Sequence, residues 1–169
     1  EAHNYHMLAY AALMTGQREV AMTQIRAMVA SLPADFVAAF SPMVEGFGAM
    51  PDEVMVRFGM WDQILSDPQP DKAYTPFTNA FHHGARAIAL AAKAKTAEAR
   101  AEQALWLEGI KKIPDGEVFH NNPMPAIYTL ASAMIEGEIL VREGKTDQGL
   151  DKLREAVKLE DALHYDEPP

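Results

Sequence analysis

Two turns in this sequence are followed by the same run of small and large residues, and that recurrence does most to limit what the chain can fold into. From Gly16, steps of five, nine and twelve residues reach Ala21, Ile25 and Met28; from Gly144 the same steps reach Gly149, Leu153 and Ala156. From Ala94 they reach Ala99, Gln103 and Trp106, a looser version, and Gly59 is followed five residues on by Ile64. Such steps along one face belong to a helix, not to a strand. A small residue lets a second helix approach closely, and a large one fills the gap opposite. The expectation is helices packed in antiparallel pairs, each pair leaving an apolar face for the next.

The punctuation agrees. A first helix over 2–14 ends at Thr15-Gly16, and a second over 19–31 is stopped by Pro33, which cannot continue a helix. Helices over 77–93 and 97–112 follow, with Pro114 and Gly116 behind them. Asn122-Pro123 launches a helix over 126–142, since Asn can cap and Pro fits the first turn; Gly144 closes it, and Thr146 opens a last helix over 147–160. The stretch 34–72 carries Pro42, Pro51, Pro68 and Pro70, so its helices must be short, with "PDEVMVRFG" and "MWDQILS" the best candidates. "SDPQPDKAYTP" and "PDGEVFHNNPMP" read as loops. The organisation expected is one array over 1–169: a repeat at 2–33, irregular short helices at 34–77, a degenerate repeat at 78–114 and a repeat at 123–161. It reads as part of a longer protein.

Composition supports an all-α fold. Hydrophobic residues make up 49% of the chain but aromatics only 8%, so the core must be largely aliphatic, and the abundant Ala, Leu, Met, Glu, Lys and Arg are strong helix formers. The net charge of −9 would repel a phosphate backbone, which argues against nucleic acid. With no cysteine there is no disulfide, no thiol catalysis and no cysteine-ligated zinc. No apolar run nears the ~20 residues of a membrane span and no leader is evident, so no membrane association is expected and a cytoplasmic location is favoured.

The repeats have a recognisable pattern. In the first pair Tyr5, Leu8-Ala9, Ala12, Ala21, Ile25 and Pro33 hold the spacing W-x2-L-G-x2-Y, A-x3-F, P of a tetratricopeptide repeat, with several identities softened. In the last pair Gly137 and Leu140 take the small and large positions of the first helix, and Asp161 replaces the closing proline. The chain therefore resembles tetratricopeptide repeat proteins. The strings "HNYHMLAYAALMTGQ", "VMVRFGMWDQIL", "IEGEILVREG" and "LREAVKLEDALHYDEPP" are similar to a family of long bacterial members. That resemblance implies an α-α superhelix with an irregular insert after its first pair. It also implies a concave face that binds a protein or peptide, and no catalytic residue and no cofactor.

In such arrays the first helix of each pair lines the groove. The groove candidates are His3, His6 and Tyr10, with Leu13 and Met14, in the first pair; Phe81, with Gly84 and Ile88, in the middle pair; and Glu138 and Arg142, with Ala131, Met134 and Val141, in the last. His3 and His6 share a face, but no third ligand lies near, so they read as groove residues rather than metal ligands. The alternative is a histidine-based metal or small-molecule site supporting hydrolysis. His82 and His83 are adjacent and diverge on a helix, and His120 lies in a loop. "EGE" at 136–138 is no acid–base pair, because residues two apart on a helix face different ways. "VRFGMWDQ" reads as a turn stapled by Trp61 and an Arg57–Asp62 contact. Finally, the opening helix is apolar nearly all round: Tyr5, Leu8, Ala9 and Ala12 make its core stripe, and Met7, Ala11 and Met14 a second one. This second stripe asks for an upstream repeat or for a second copy of the chain in a homodimer.

Overall fold

Why the helices come in pairs is written in four turns. A computed structural model describes residues 2–119 and 121–165, and the side chain of Pro42 is outside the description. His120 and the end of the "HYDEPP" string also lie outside the described residues. The helices are α1 (Ala2–Met14), α2 (Arg18–Ala30), α3 (Ala34–Ala39), α4 (Ser41–Val44), α5 (Met50–Arg57), α6 (Trp61–Ser66), α7 (Pro76–Ala92), α8 (Thr96–Ile110), α9 (Met124–Arg142) and α10 (Thr146–Asp161). A 3₁₀ segment, Glu45–Ala49, leads into α5. Among the described residues the fold is all-α apart from one antiparallel contact between β1 (Val118–Phe119) and β2 (Asn122–Pro123), inside what reads from the sequence as a loop.

The left-handed backbone that ends a helix falls at Gly16 (φ 73°), Gly59 (64°), Ala94 (59°) and Gly144 (80°). In each turn the next residue donates its N–H to the carbonyl five residues back: Gln17 to Ala12 at 2.8 Å, Met60 to Met55 at 2.9 Å, Lys95 to Leu90 at 2.9 Å and Lys145 to Leu140 at 3.0 Å. This is the closure of a Schellman cap. One turn later Ala21, Ile64, Ala99 and Gly149 donate back to those same four residues at 2.9–3.1 Å. The pairs α1–α2, α5–α6, α7–α8 and α9–α10 thus share one turn. The looseness around Ala94 lies in side chains, not backbone. The same accounting makes α5–α6, inside the irregular stretch, a shortened pair.

The small residues at the fifth step are where paired helices touch. Ala21, Ile64 and Ala99 are fully buried. A Cβ on Gly149 would lie 2.8 Å from the Val141 nitrogen and 2.9 Å from the Gly137 carbonyl oxygen, so α9 and α10 meet backbone to backbone. Between pairs, α2 packs on α5, α6 on α7, and α8 on α9, while α7 also packs on both α5 and α9. Two core clusters result. One gathers Trp106, Ile135 and Ile139 around α7–α9, and the other Ile25, Met28, Met55 and Ile64 around α1, α2 and α5. Trp106, a loose fit by spacing, is fully buried, and its Nε1 donates to Ser132 Oγ at 2.9 Å.

Several sequence expectations are corrected. Leu8 is not in the core: Ala9 and Ala12 are buried, but Leu8 is 49% exposed, beside a neighbouring stripe in which Met7 and Met14 are exposed too. The reason is that α1 packs mainly on α2, and its other sides lack a neighbour of comparable extent among the described residues. Asn122 does not cap α9. Its amide donates to the His164 carbonyl, and its carbonyl accepts the His164 N–H, both at 2.9 Å. Thr146 is likewise no cap; the capping position is Lys145, without a side-chain bond. Among the described residues α9 alone is long and apolar enough, by length and composition, to cross a membrane. It carries Glu136 and Glu138 and packs against α7, α8 and α10.

Candidate functional site

An almost wholly apolar cavity of about 210 Å³ opens on the face formed by the first helices of three pairs. Its floor is the α7 stripe Phe81, Gly84, Ala85 and Ile88, underlain by Trp106. One wall is Glu53, Val56 and Arg57 of α5; the other is Ala131, Met134 and Ile135 of α9. The floor spacing, i, i+3, i+4, i+7, is that of one helix face.

Counting back from the four equivalent turns explains why these residues converge. Thirteen residues before the turn stand His3, Phe81 and Ala131; ten before stand His6, Gly84 and Met134; six before stand Tyr10, Glu53, Ile88 and Glu138; two before stand Met14, Arg57, Ala92 and Arg142. The cavity is lined chiefly by these registers, so one helix face recurs from pair to pair.

The charges on this face repeat too. "EVMVR" in α5 and "EILVR" in α9 put a Glu and an Arg one turn apart at equivalent places on both walls. Residues at i and i+4 could pair along their own helix, yet Glu53, Arg57, Glu138 and Arg142 have no ion-pair or hydrogen-bond partner among the described residues. Glu53 is exposed where it lines the cavity mouth. Lost hydration, and then the charge of Asp52 beside it, push its carboxyl up to about 7.

The candidates chosen from the sequence divide. Phe81 lines the cavity; Glu138 and Arg142 are not among its lining residues but lie on the same face of α9 as Ala131 and Met134, which are. The first pair does not reach it. His3 is exposed. His6 is half-buried with its ring edge-on to Phe47, centroids 6.1 Å apart. Tyr10 is close enough to Tyr165 to help raise that phenol, after burial and Glu160. The Arg57–Asp62 contact does not form: Asp62 pairs with Lys93 at 2.7 Å, and Arg57 lines the cavity. Sequence reasoning missed Glu53 and Arg57. The signal that could have found them is the same count back from Gly59 that works from Gly144.

Two other polar clusters lie in the core. His82 Nδ1 meets the Asp52 carboxylate at 3.0 Å, and its Nε2 is buried without a partner among the described residues. A histidine held by a carboxylate can act as a base, but this one lies 2% exposed inside the fold. Glu45, 1% exposed, accepts the N–H groups of Phe77 (3.0 Å) and Thr78 (3.2 Å) at the start of α7. Glu45 Oε1 and Glu117 Oε2 are both buried and unpartnered. Burial, partly offset by the Thr78 bond and reinforced by Glu117, holds the Glu45 carboxyl at about 7, and burial raises Glu117 as well. Among the described residues no group of three or more His, Asp or Glu is arranged to hold a metal ion.

Set against known proteins, the chain matches no family model, no curated protein and no solved structure.

Proposed function

We propose that this chain is a peptide-binding scaffold of the tetratricopeptide kind, taking its ligand in the groove over α7. The observation that carries the reading is the cavity between α5, α7 and α9, apolar on its floor and bordered by unpaired charges. A core crevice would be closed by its own neighbours; this one opens on a face whose register recurs in each pair. At about 210 Å³ it exceeds the 150 Å³ that suffices for benzene and suits one bulky apolar side chain. A groove framed by helices receives such an anchor from a helical or extended segment.

The test is selection of a displayed random peptide library on the immobilised protein. Selected peptides should carry a bulky apolar residue. Binding read by fluorescence polarisation should weaken at least about tenfold in Ala131→Arg, whose side chain fills the cavity, with an unchanged thermal melt. Failure to enrich any peptide, or binding indifferent to Ala131→Arg, would overturn the reading.

A further inference from the structure

The duplicated Glu and Arg say more about the ligand than the cavity does. Glu53 and Glu138 occupy the same register of the two wall helices, and Arg57 and Arg142 the next, while α7 between them has Ile88 and Ala92 at those registers; Glu53 and Arg57 line the cavity, and Glu138 and Arg142 share the α9 face of Ala131 and Met134 beyond it. Four residues of helix rise about 6 Å. The groove thus offers a level of two carboxylates and, about 6 Å further along, a level of two guanidinium groups, with no charge on the floor. Elsewhere on the chain some exposed charges pair one turn away, as in Lys111–Glu108, Lys152–Glu155 and Arg154–Asp151, and others, such as Lys112 and Lys158, stand alone on separate surfaces. The four groove charges stand unpaired together.

Resting on the peptide-binding reading above, we propose that the ligand is a helical segment with a bulky apolar side chain seated against α7. It carries a cationic residue facing Glu53 and Glu138 and, one turn along, an anionic residue facing Arg57 and Arg142. The apolar anchor supplies area, and the charge pair supplies the selection among apolar helices. A ligand with the two charges exchanged sets like against like on both walls.

Binding should also depend on pH at the carboxylate level. The charged and titratable groups around Glu53 are Asp52, bonded to His82 of α7, Arg57 one turn away on α5, and Glu138 across the groove on α9. Lost hydration, and then the Asp52 charge, raise the Glu53 carboxyl, so the preference for a cation should sharpen as pH rises.

The experiment selects the same displayed library on the wild type at pH 8 and low salt. It then measures each enriched peptide, and its charge-exchanged version, against the wild type. It measures both again against the quadruple variant Glu53→Arg, Arg57→Glu, Glu138→Arg, Arg142→Glu. All four positions are solvent-reachable, and a pair of double variants, one wall at a time, covers the case in which the quadruple does not fold. Expected are peptides with opposite charges four residues apart around an apolar residue. The exchanged peptide should bind the wild type about tenfold more weakly, and binding should be restored on the swapped groove. The preference should fade in high salt. Enriched peptides without that charge pair, or an exchange that changes binding less than twofold on both proteins, would overturn the proposal and leave the peptide-binding reading standing. No enriched peptide at all would overturn both.

Discussion

Ala94 occupies a position that glycine fills in the three equivalent turns. Its φ of 59° makes it the non-glycine residue with left-handed backbone among those described. For an L-residue that conformation costs roughly 1–2 kcal/mol. Replacing it with glycine removes the cost but returns about 0.4–1 kcal/mol of freedom to the unfolded chain. Ala94→Gly should therefore stabilise the protein by about 0.5–1 kcal/mol, or about 1–4 °C in melting temperature for a chain of this size. Gly144→Ala is the mirror experiment. An added Cβ there meets nothing within 4 Å, so only the backbone conformation is at stake, at φ 80°. It should destabilise by about the same 0.5–1 kcal/mol. Urea unfolding followed by circular dichroism reads both, with the slope checked for constancy, since stacked pairs can unfold in steps. The reasoning is refuted if both substitutions shift the midpoint in the same direction, because identical turns must respond with opposite signs.

Three further outcomes are expected. Gly149→Ala drives a Cβ to within 2.8 Å of the Val141 nitrogen; overpacking against backbone costs ~1–3 kcal/mol, which less about 1 kcal/mol gained in helix propensity should leave a net loss of up to ~2 kcal/mol, seen as a lower urea midpoint. Glu45, with its folded-state carboxyl at about 7 against an ordinary 4.5, binds its proton more tightly folded than unfolded, so its own contribution to stability is fully present below pH 4.5 and falls by about 3 kcal/mol as pH rises to 7 and beyond. Glu45→Gln keeps an acceptor for the Phe77 and Thr78 N–H groups and should flatten that slope in melts run from pH 5 to 8. The exposed α1 face of Met7, Ala11 and Met14 is proposed to pair with a second copy near a twofold axis; light scattering should give twice the chain mass and Met7→Glu with Met14→Glu half of that, while a monomeric wild type would end the proposal.

Much of the fold was legible because backbone geometry leaves a local mark. Gly16 and Gly144 announce left-handed caps, and the small residues at Ala21 and Gly149 announce close crossings. Both depend on residues near in sequence. What was not legible depended on which helix lies beside which. Leu8 has the spacing of a core residue and is half exposed, because a helical stripe states only that an apolar side chain wants a neighbour. Asn122 sits where a cap would, but its amide bonds the backbone of His164, 42 residues on. Trp106 fits the repeat loosely and is nonetheless the largest fully buried side chain, because helices α7 and α9 enclose it and Ser132 of α9 accepts its N–H.

The groove shows the same division within single residues. Phe81, Glu138 and Arg142 follow from placing one repeat register on the chain. His3, His6 and Tyr10 follow equally well, yet the cavity excludes them: the short α5–α6 pair stands between α1 and α7 and supplies the wall instead. Glu53 and Arg57 were hidden because the prolines around them describe an irregular stretch, and because Arg57 has Asp62 five residues away as an apparent partner. Lys93, 31 residues further on, takes Asp62 at 2.7 Å. Arg57 stands uncommitted at the mouth of an apolar cavity while Asp62 pairs with Lys93. A charge whose local partner has been claimed from elsewhere is a sharper pointer to a ligand than the cavity alone. It predicts that Asp62→Ala, which frees Lys93 but touches no groove residue, should leave peptide selection unchanged, whereas Arg57→Ala should not.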